Sequence, residues 1–183
     1  MKKDASKLMS EDRFWEIIDN SDQGNGLDML LANFSDNELI GFSSWWDHFT
    51  SRLYRQDLWA VAYVVRGGCS DDSFDYFRYW LMAQGRKVVN DALENADSLC
   101  DVFEQIEKDG YEVDPQNEDL NYIVFETIEN RTSLNPNFRN ELEEYEIPSS
   151  SAPEMDFEWE EDDPESIRKI CPRTFAFYYD DPI

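Results

Sequence analysis

Before Arg139, apolar residues return every third or fourth position along most of the chain, the spacing that gathers them on one face of an α-helix. Leu39, Phe42, Trp46, Phe49 and Leu53 step by three, four, three and four and keep one face through about four turns. Ser35-Asp36-Asn37-Glu38 precedes them in the capping-box pattern, where the Ser and Glu side chains reciprocally satisfy free backbone donors. A long helix over Ser35 to Leu53 is predicted. Upstream, Ser10 can cap a short helix with Glu11 and Asp12 in its first turn and Phe14, Trp15, Ile17 and Ile18 on its apolar face. A turn cluster from Ser21 to Gly26 leads to another short helix marked by Leu27, Leu30 and Leu31.

Leu58 to Val65 is apolar at every position, so periodicity does not separate a buried helix from a buried strand. Its ending favours helix: Arg66 suits the negative end of the dipole, and Gly67-Gly68 can adopt the left-handed stop. Ser70 then caps a helix with Asp71 and Asp72 in its first turn, Phe74, Phe77, Trp80 and Leu81 as its buried arc, and Gly85 as its end. Further helices are predicted from Arg86 to Leu93, from near Ser98 with Leu99, Val102, Phe103 and Ile106 inward to a stop at Asp109-Gly110, and beyond Pro115 on Leu120, Ile123, Val124, Phe125 and Ile128.

The pattern lapses after Arg139. Residues 140–167 hold twelve acids and no Lys or Arg, with Pro148, Ser149 to Ser151, Pro153 and Pro164 interrupting any helical period, which predicts an acidic loop. Basic and aromatic character returns in IRKICPRTFAFYY, a segment suited to a last short helix docking on the core. The expected architecture is all-α: a single compact domain of about eight helices, with residues 10–139 as helical core, 140–167 as acidic irregular segment and 168–183 docking back.

The residues Leu58-Trp59, Gly68-Cys69-Ser70-Asp71-Asp72, Phe77-Arg78, Trp80-Leu81 and Gly85-Arg86 together resemble a bacterial family known as domain of unknown function 4240. The resemblance extends back to Phe14-Trp15 and more weakly forward through Asn121 to Thr127, Phe157-Glu158-Trp159 and Cys171-Pro172. It implies an all-helical domain and brings no activity or catalytic residue with it. The long acidic loop departs from the family pattern, so no role is inherited there.

Composition supplies a core and a strong field. Hydrophobic residues are 41% of the 183, aromatics 15%, including six Trp and twelve Phe, more than a disordered chain carries. Against this, 41 acidic and 16 basic residues give a formal net charge of −25. Such a surface repels phosphate polyanions and anionic membranes and attracts basic proteins, so direct nucleic-acid binding is not expected. Cys69, Cys100 and Cys171 fall in no metal-ligand spacing and read as reduced thiols of a cytoplasmic protein. No apolar h-region follows Lys3, and no run approaches the ~20 apolar residues of a membrane helix.

Four constellations carry candidate chemistry. On an ideal helix Asp71, Asp75, Arg78 and Met82 share a stripe, with Asp72 adjacent; this reads either as a polar site for a cation or anion or as capping plus an intrahelical ion pair. Cys69 precedes a helix N-terminus that lowers thiol pKa, but Asp71 and Asp72 oppose a thiolate, which favours a buried structural thiol. His48 is the only histidine and its neighbour Asp47 points about 100° away around the helix, which argues for a surface or boundary position rather than catalysis. The run EMDFEWEEDDPE, Glu154 to Glu165, interleaves eight acids with Met155, Phe157 and Trp159 and either packs back on the domain or docks a partner through Phe157, Trp159, Glu160, Glu161, Asp162 and Asp163. No catalytic residue, metal site or cofactor is assigned. The sequence favours a non-enzymatic acidic interaction protein, an inhibitor, antitoxin-like or regulatory factor for a basic partner. An enzyme or small-ligand domain centred on Asp71, Asp75 and Arg78, and a nucleic-acid mimic, are the alternatives, and oligomeric state stays open.

Overall fold

Local capping fixes where the first helices begin. The computed structural model describes residues 2–148 and 155–183. A two-residue strand β1 (Lys3–Asp4) precedes helix α1 (Glu11–Asp19), whose first turn is capped by Ser10 Oγ accepting from the Arg13 amide at 3.2 Å. The short α2 (Leu27–Ala32) follows, burying Leu27 and Leu31 but leaving Leu30 39% exposed. Helix α3 (Asp36–Arg52) opens with both halves of its capping box: Ser35 Oγ accepts from the Glu38 amide at 3.3 Å and Glu38 Oε2 from the Ser35 amide at 2.8 Å.

The apolar stripe of α3 is only part of what it buries. Ile40, Gly41, Ser43, Ser44, Trp45 and His48 are also inside, so the helix is covered on more than one side. Gly41 marks the closest approach: a Cβ there would stand 3.0 Å from the Met9 backbone nitrogen. An Ala residue is otherwise favoured over Gly in a helix interior by about 1 kcal/mol. Trp45 Nε1 clamps the same segment by donating to the Met9 carbonyl at 2.8 Å.

The ambiguous apolar run is helical, within α4 (Gln56–Arg66), and Leu58 to Ala62, Val64 and Val65 are all buried. Gly67 ends it in the left-handed conformation (φ 63, ψ 30), and the Gly68 amide returns to the Tyr63 carbonyl at 2.9 Å. Then come α5 (Asp71–Ala83), α6 (Arg86–Glu94), a 3-10 turn (Ala96–Ser98), α7 (Leu99–Lys108) and α8 (Glu118–Leu134). On α7 Val102 and Ile106 are only half-buried, and on α8 Phe125 is 54% exposed while Leu120, Val124 and Thr127 face inward. Arg131 of α8 ties that helix to the start of α3, pairing with Asp36 and donating to the Phe34 carbonyl at 2.6 Å.

Eleven α-helices occur among the described residues rather than about eight, and the protein is mostly helical. The surplus lies in the C-terminal part. Helix α9 (Phe138–Glu143) carries the helical pattern past Arg139, anchored by buried Phe138, and leads to strand β2 (Tyr145–Glu146), which pairs in parallel with β1. Pro164 opens α10 (Pro164–Ile170) rather than breaking a helix, because the first helical position needs no amide donor. Pro172 opens α11 (Pro172–Tyr178) in the same way and forces Cys171 out of the helical region (φ −134, ψ 68), which divides this segment in two. Among the described residues the irregular stretch is therefore 147–148 and 155–163 rather than 140–167; Ser149 to Ser151, Pro153 and Glu154 of the expected loop lie outside the described residues.

The last helix is held by one buried carboxylate. Asp97, 4% exposed in the 3-10 turn, accepts from the amides of Arg173 and Thr174 at 2.9 Å each and from Thr174 Oγ1 at 2.8 Å. It thereby caps α11 from a remote point in the chain, satisfying donors that a helix start leaves free. With α11 seated against α4, a row of aromatic rings runs from Trp59 through Phe74, Phe77, Trp80 and Phe103 to Tyr178.

Candidate functional site

The Arg78 stripe divides when folded. Ser70 Oγ caps α5 by accepting from the Ser73 amide at 3.3 Å, and Asp71 and Asp72 stand exposed in the first turn. Asp75 and Arg78 form an ion pair one turn on, without Asp71. The Arg78 side chain turns inward: Nη1 donates to the Thr50 carbonyl at 2.5 Å, and the guanidinium lies 4.9 Å from the Tyr54 ring centroid and 5.5 Å from that of Phe74. Arg78 is thus committed to the junction of α5 with the end of α3. Asp71, Asp72, Asp75 and Arg78 do not converge as one polar site.

His48 is buried, not at the surface. Its ring stands edge-on to Trp45 and Phe49, and burial holds its pKa below the usual histidine value. Nδ1 has no hydrogen-bond partner among the described residues. Asp47 nevertheless borders the same cleft, a 390 Å³ space that also meets Ser44, Ser51 and the β2 segment. The protein around it pushes the Asp47 carboxyl up to about 6, although the residue is exposed on its open side. Cys69 is half-buried, and burial followed by the charge of Asp71 outweighs the opposing effect of Arg66 to push its thiol up to about 12. It is a protonated thiol at neutral pH.

The acidic-aromatic run forms a site with walls. Trp59 of α4 is 8% exposed, stacked on Phe74 at 4.5 Å, with its indole Nε1 donating to the Cys69 carbonyl at 3.0 Å. Trp159, 6% exposed, donates from Nε1 to the Gln56 carbonyl at 2.8 Å and leans on Tyr63, with ring centroids 5.5 Å apart. Phe157 stands between the two, 47% exposed, its centroid 5.5 Å from each. Its plane is inclined 68° to Trp59 and 80° to Trp159, so the rings meet edge to face.

Immediately after Trp159 the chain turns. The Asp163 amide donates to the Glu160 carbonyl at 3.1 Å, and Ser166 Oγ receives the Glu160 amide at 3.0 Å and donates to the Asp163 carbonyl at 2.6 Å. This turn places Glu160, Glu161 and Asp162 on the rim of a 440 Å³ recess walled by Trp59, Phe157, Trp159 and Cys69. All three acids are exposed. Arg168 of α10 pairs with Glu165 at 3.1 Å, and the rim acids have no ion-pair partner among the described residues. Asp163 is drawn away to the start of α10. Trp59, which the sequence placed in an unbroken apolar run, lines the recess, and no local pattern links it to a segment so distant in the chain.

Among the described residues no group of three or more His, Cys, Asp or Glu is placed to hold a metal ion. No helix there is long and apolar enough to cross a membrane. Fold and site therefore describe a mostly helical, strongly acidic protein with an aromatic recess under an acidic rim. The chain belongs to the family described as a protein of unknown function (DUF4240), whose match covers residues 9–130. That span contains Trp59, Cys69 and Arg78 but ends before Phe157. No curated protein and no solved structure matches the chain.

Proposed function

We propose that the protein is a non-enzymatic acidic interaction factor, of inhibitory, antitoxin-like or regulatory type, that binds a basic protein partner at the recess of Trp59, Phe157 and Trp159. One observation carries the reading: the half-exposed Phe157 ring and three exposed carboxylates line the same opening, on a chain of net charge −25. Carboxylates of this kind accelerate encounter with a basic surface, while an apolar contact slows departure. Phe157 is the anchor, because it is half exposed; Trp159 is a wall, held inside by its bond to Gln56. A ligand reading around Arg78 has less to support it, since that guanidinium is already occupied by Thr50, Asp75 and the Tyr54 ring.

The test is titration with a lysine-rich peptide at low and at moderate salt, using wild type and a variant with Glu158, Glu160 and Glu161 changed to Gln and Asp162 to Asn. Wild type should bind with an affinity that falls as salt rises, and the variant should associate more slowly. Equal association rates for the two proteins would overturn the assignment of this rim as the recruiting surface.

A further inference from the structure

We propose that the cleft between α3 and the β2 segment binds a primary ammonium group on a short aliphatic chain, with the Asp47 carboxylate, Ser44 Oγ and the His48 ring as its acceptors. This cleft shares no lining residue with the recess of Trp59, Phe157 and Trp159. Ser44, Asp47, His48 and Ser51 stand at positions i, i+3, i+4 and i+7 of α3 and so share one face. The helix is otherwise buried mainly through apolar side chains, yet this polar stripe borders an open space of 390 Å³. That volume falls in the range of small-ligand sites, about 300–1,000 Å³.

Three groups on the stripe offer acceptors. Ser44 is 7% exposed, and its hydroxyl proton is committed to the Ile40 carbonyl at 2.8 Å, which leaves the oxygen lone pairs to accept. His48 is 8% exposed, and burial keeps its imidazole neutral at pH 7, so one ring nitrogen carries a lone pair. Buried polar groups ordinarily have a partner, but the Nδ1 of this ring has none among the described residues. The Asp47 carboxylate has no ion-pair partner there either, and desolvation pushes it up to about 6, a shift that a donating cation would relieve. Glu143 and Glu146 stand exposed on the opposite wall, against Lys2 as the one base of the lining, so the field favours a cation. A primary ammonium carries three N–H donors and no acceptor, which matches the three acceptors of the stripe. A bare metal ion is not served, since no three His, Cys, Asp or Glu among the described residues are placed to hold one. Leu142 and Ile147 give an alkyl chain an apolar strip to lie on. Their wall is fixed in advance by the pairing of β2 with β1 and by the Lys3–Glu144 ion pair, so little ordering accompanies binding.

His48 is the only histidine, so its imidazole NMR signals report on this cleft alone. They are followed in the full chain at pH 7 during titration with n-butylammonium, with butyltrimethylammonium, which keeps the charge and loses the N–H donors, and with 1-butanol, which loses the charge. n-Butylammonium should shift the His48 signals to saturation and bind about tenfold or more tightly than either control, the factor a charge-assisted hydrogen bond contributes. Asp47→Asn, which keeps the shape of an exposed side chain and is checked for native circular dichroism, should weaken n-butylammonium by a similar factor, and Ser44→Ala by less. Competition at His48 then distinguishes the sources of the ammonium: 1,4-diaminobutane displacing n-butylammonium more strongly than a lysine-rich peptide does assigns it to a free aliphatic amine, and the reverse order to a lysine side chain of a partner. A His48 signal that no amine moves to saturation overturns the proposal. So does butyltrimethylammonium binding as tightly as n-butylammonium, or n-butylammonium binding that Asp47→Asn leaves intact.

Discussion

Replacing Arg78 by alanine tests whether this residue is a structural joint or a ligand group. The C-terminal turn of a helix leaves carbonyls without intrahelical donors, and the Thr50 carbonyl of α3 is one that Arg78 serves from α5. Losing a charge-assisted bond to a buried acceptor costs about 1.5–3 kcal/mol. The pair with Asp75 adds little, because the Asp75 side chain is 41% exposed and water replaces its partner, within ~0–1 kcal/mol. The aliphatic stem, in a side chain only 10% exposed, loses packing against Tyr54 and Phe74. A total destabilisation of about 2–4 kcal/mol follows, a large share of a typical domain's stability. Urea unfolding followed by tryptophan fluorescence measures it as a lower midpoint with unchanged slope. Arg78→Met, which keeps the stem and removes the donors, should recover part of the loss. Wild-type midpoints for both variants would refute the reasoning and return Arg78 to the candidates for ligand binding.

Further outcomes follow from buried groups. Asp97→Ala should cost about 2–4 kcal/mol by stranding the Arg173 and Thr174 amides, and limited proteolysis should then cut first near α11; a variant as protease-resistant as wild type contradicts the capping role. Burial pushes the thiols of Cys69, Cys100 and Cys171 up to about 12, about 11 and about 12, so a thiol reagent at pH 8 should label the native protein slowly and the urea-unfolded protein fast. Asp47 has a folded pKa raised from 3.8 to about 6, so the native state binds the extra proton between these values and stability declines as pH rises through that window. Asp47→Asn should therefore gain on wild type above pH 6 and lose that advantage below pH 4, by a small amount because the residue is partly open to water; a difference independent of pH removes Asp47 as the cause.

Helices with local signals were legible before folding: the capping box at Ser35 and Glu38, the Ser10 and Ser70 caps, and the left-handed stop at Gly67. What escaped was non-local or ambiguous. Pro164 read as a breaker because a proline ends one helix and starts another by the same property, its lack of an amide donor, and the helix start at Pro172 went unread inside one segment. Phe125 satisfies the helical period yet lies on the open side of α8, since periodicity defines a face but not which neighbours cover it. Helical spacing also aligned Asp71 with Arg78, but the Thr50 carbonyl drew the guanidinium inward and no local pattern announces that acceptor. At the recess, Phe157, Trp159 and the rim acids were visible as composition, whereas Trp59 was hidden in an unbroken apolar run.

The most direct test of partner binding at the recess is the NMR signal of the two indole N–H groups during titration with a lysine-rich peptide at low salt. Trp59 and Trp159 should shift progressively and saturate together, with the buried Trp15 and Trp80 unmoved, and added salt should reverse the change. Binding that leaves Trp59 and Trp159 unshifted, or no binding under these conditions, would contradict the account.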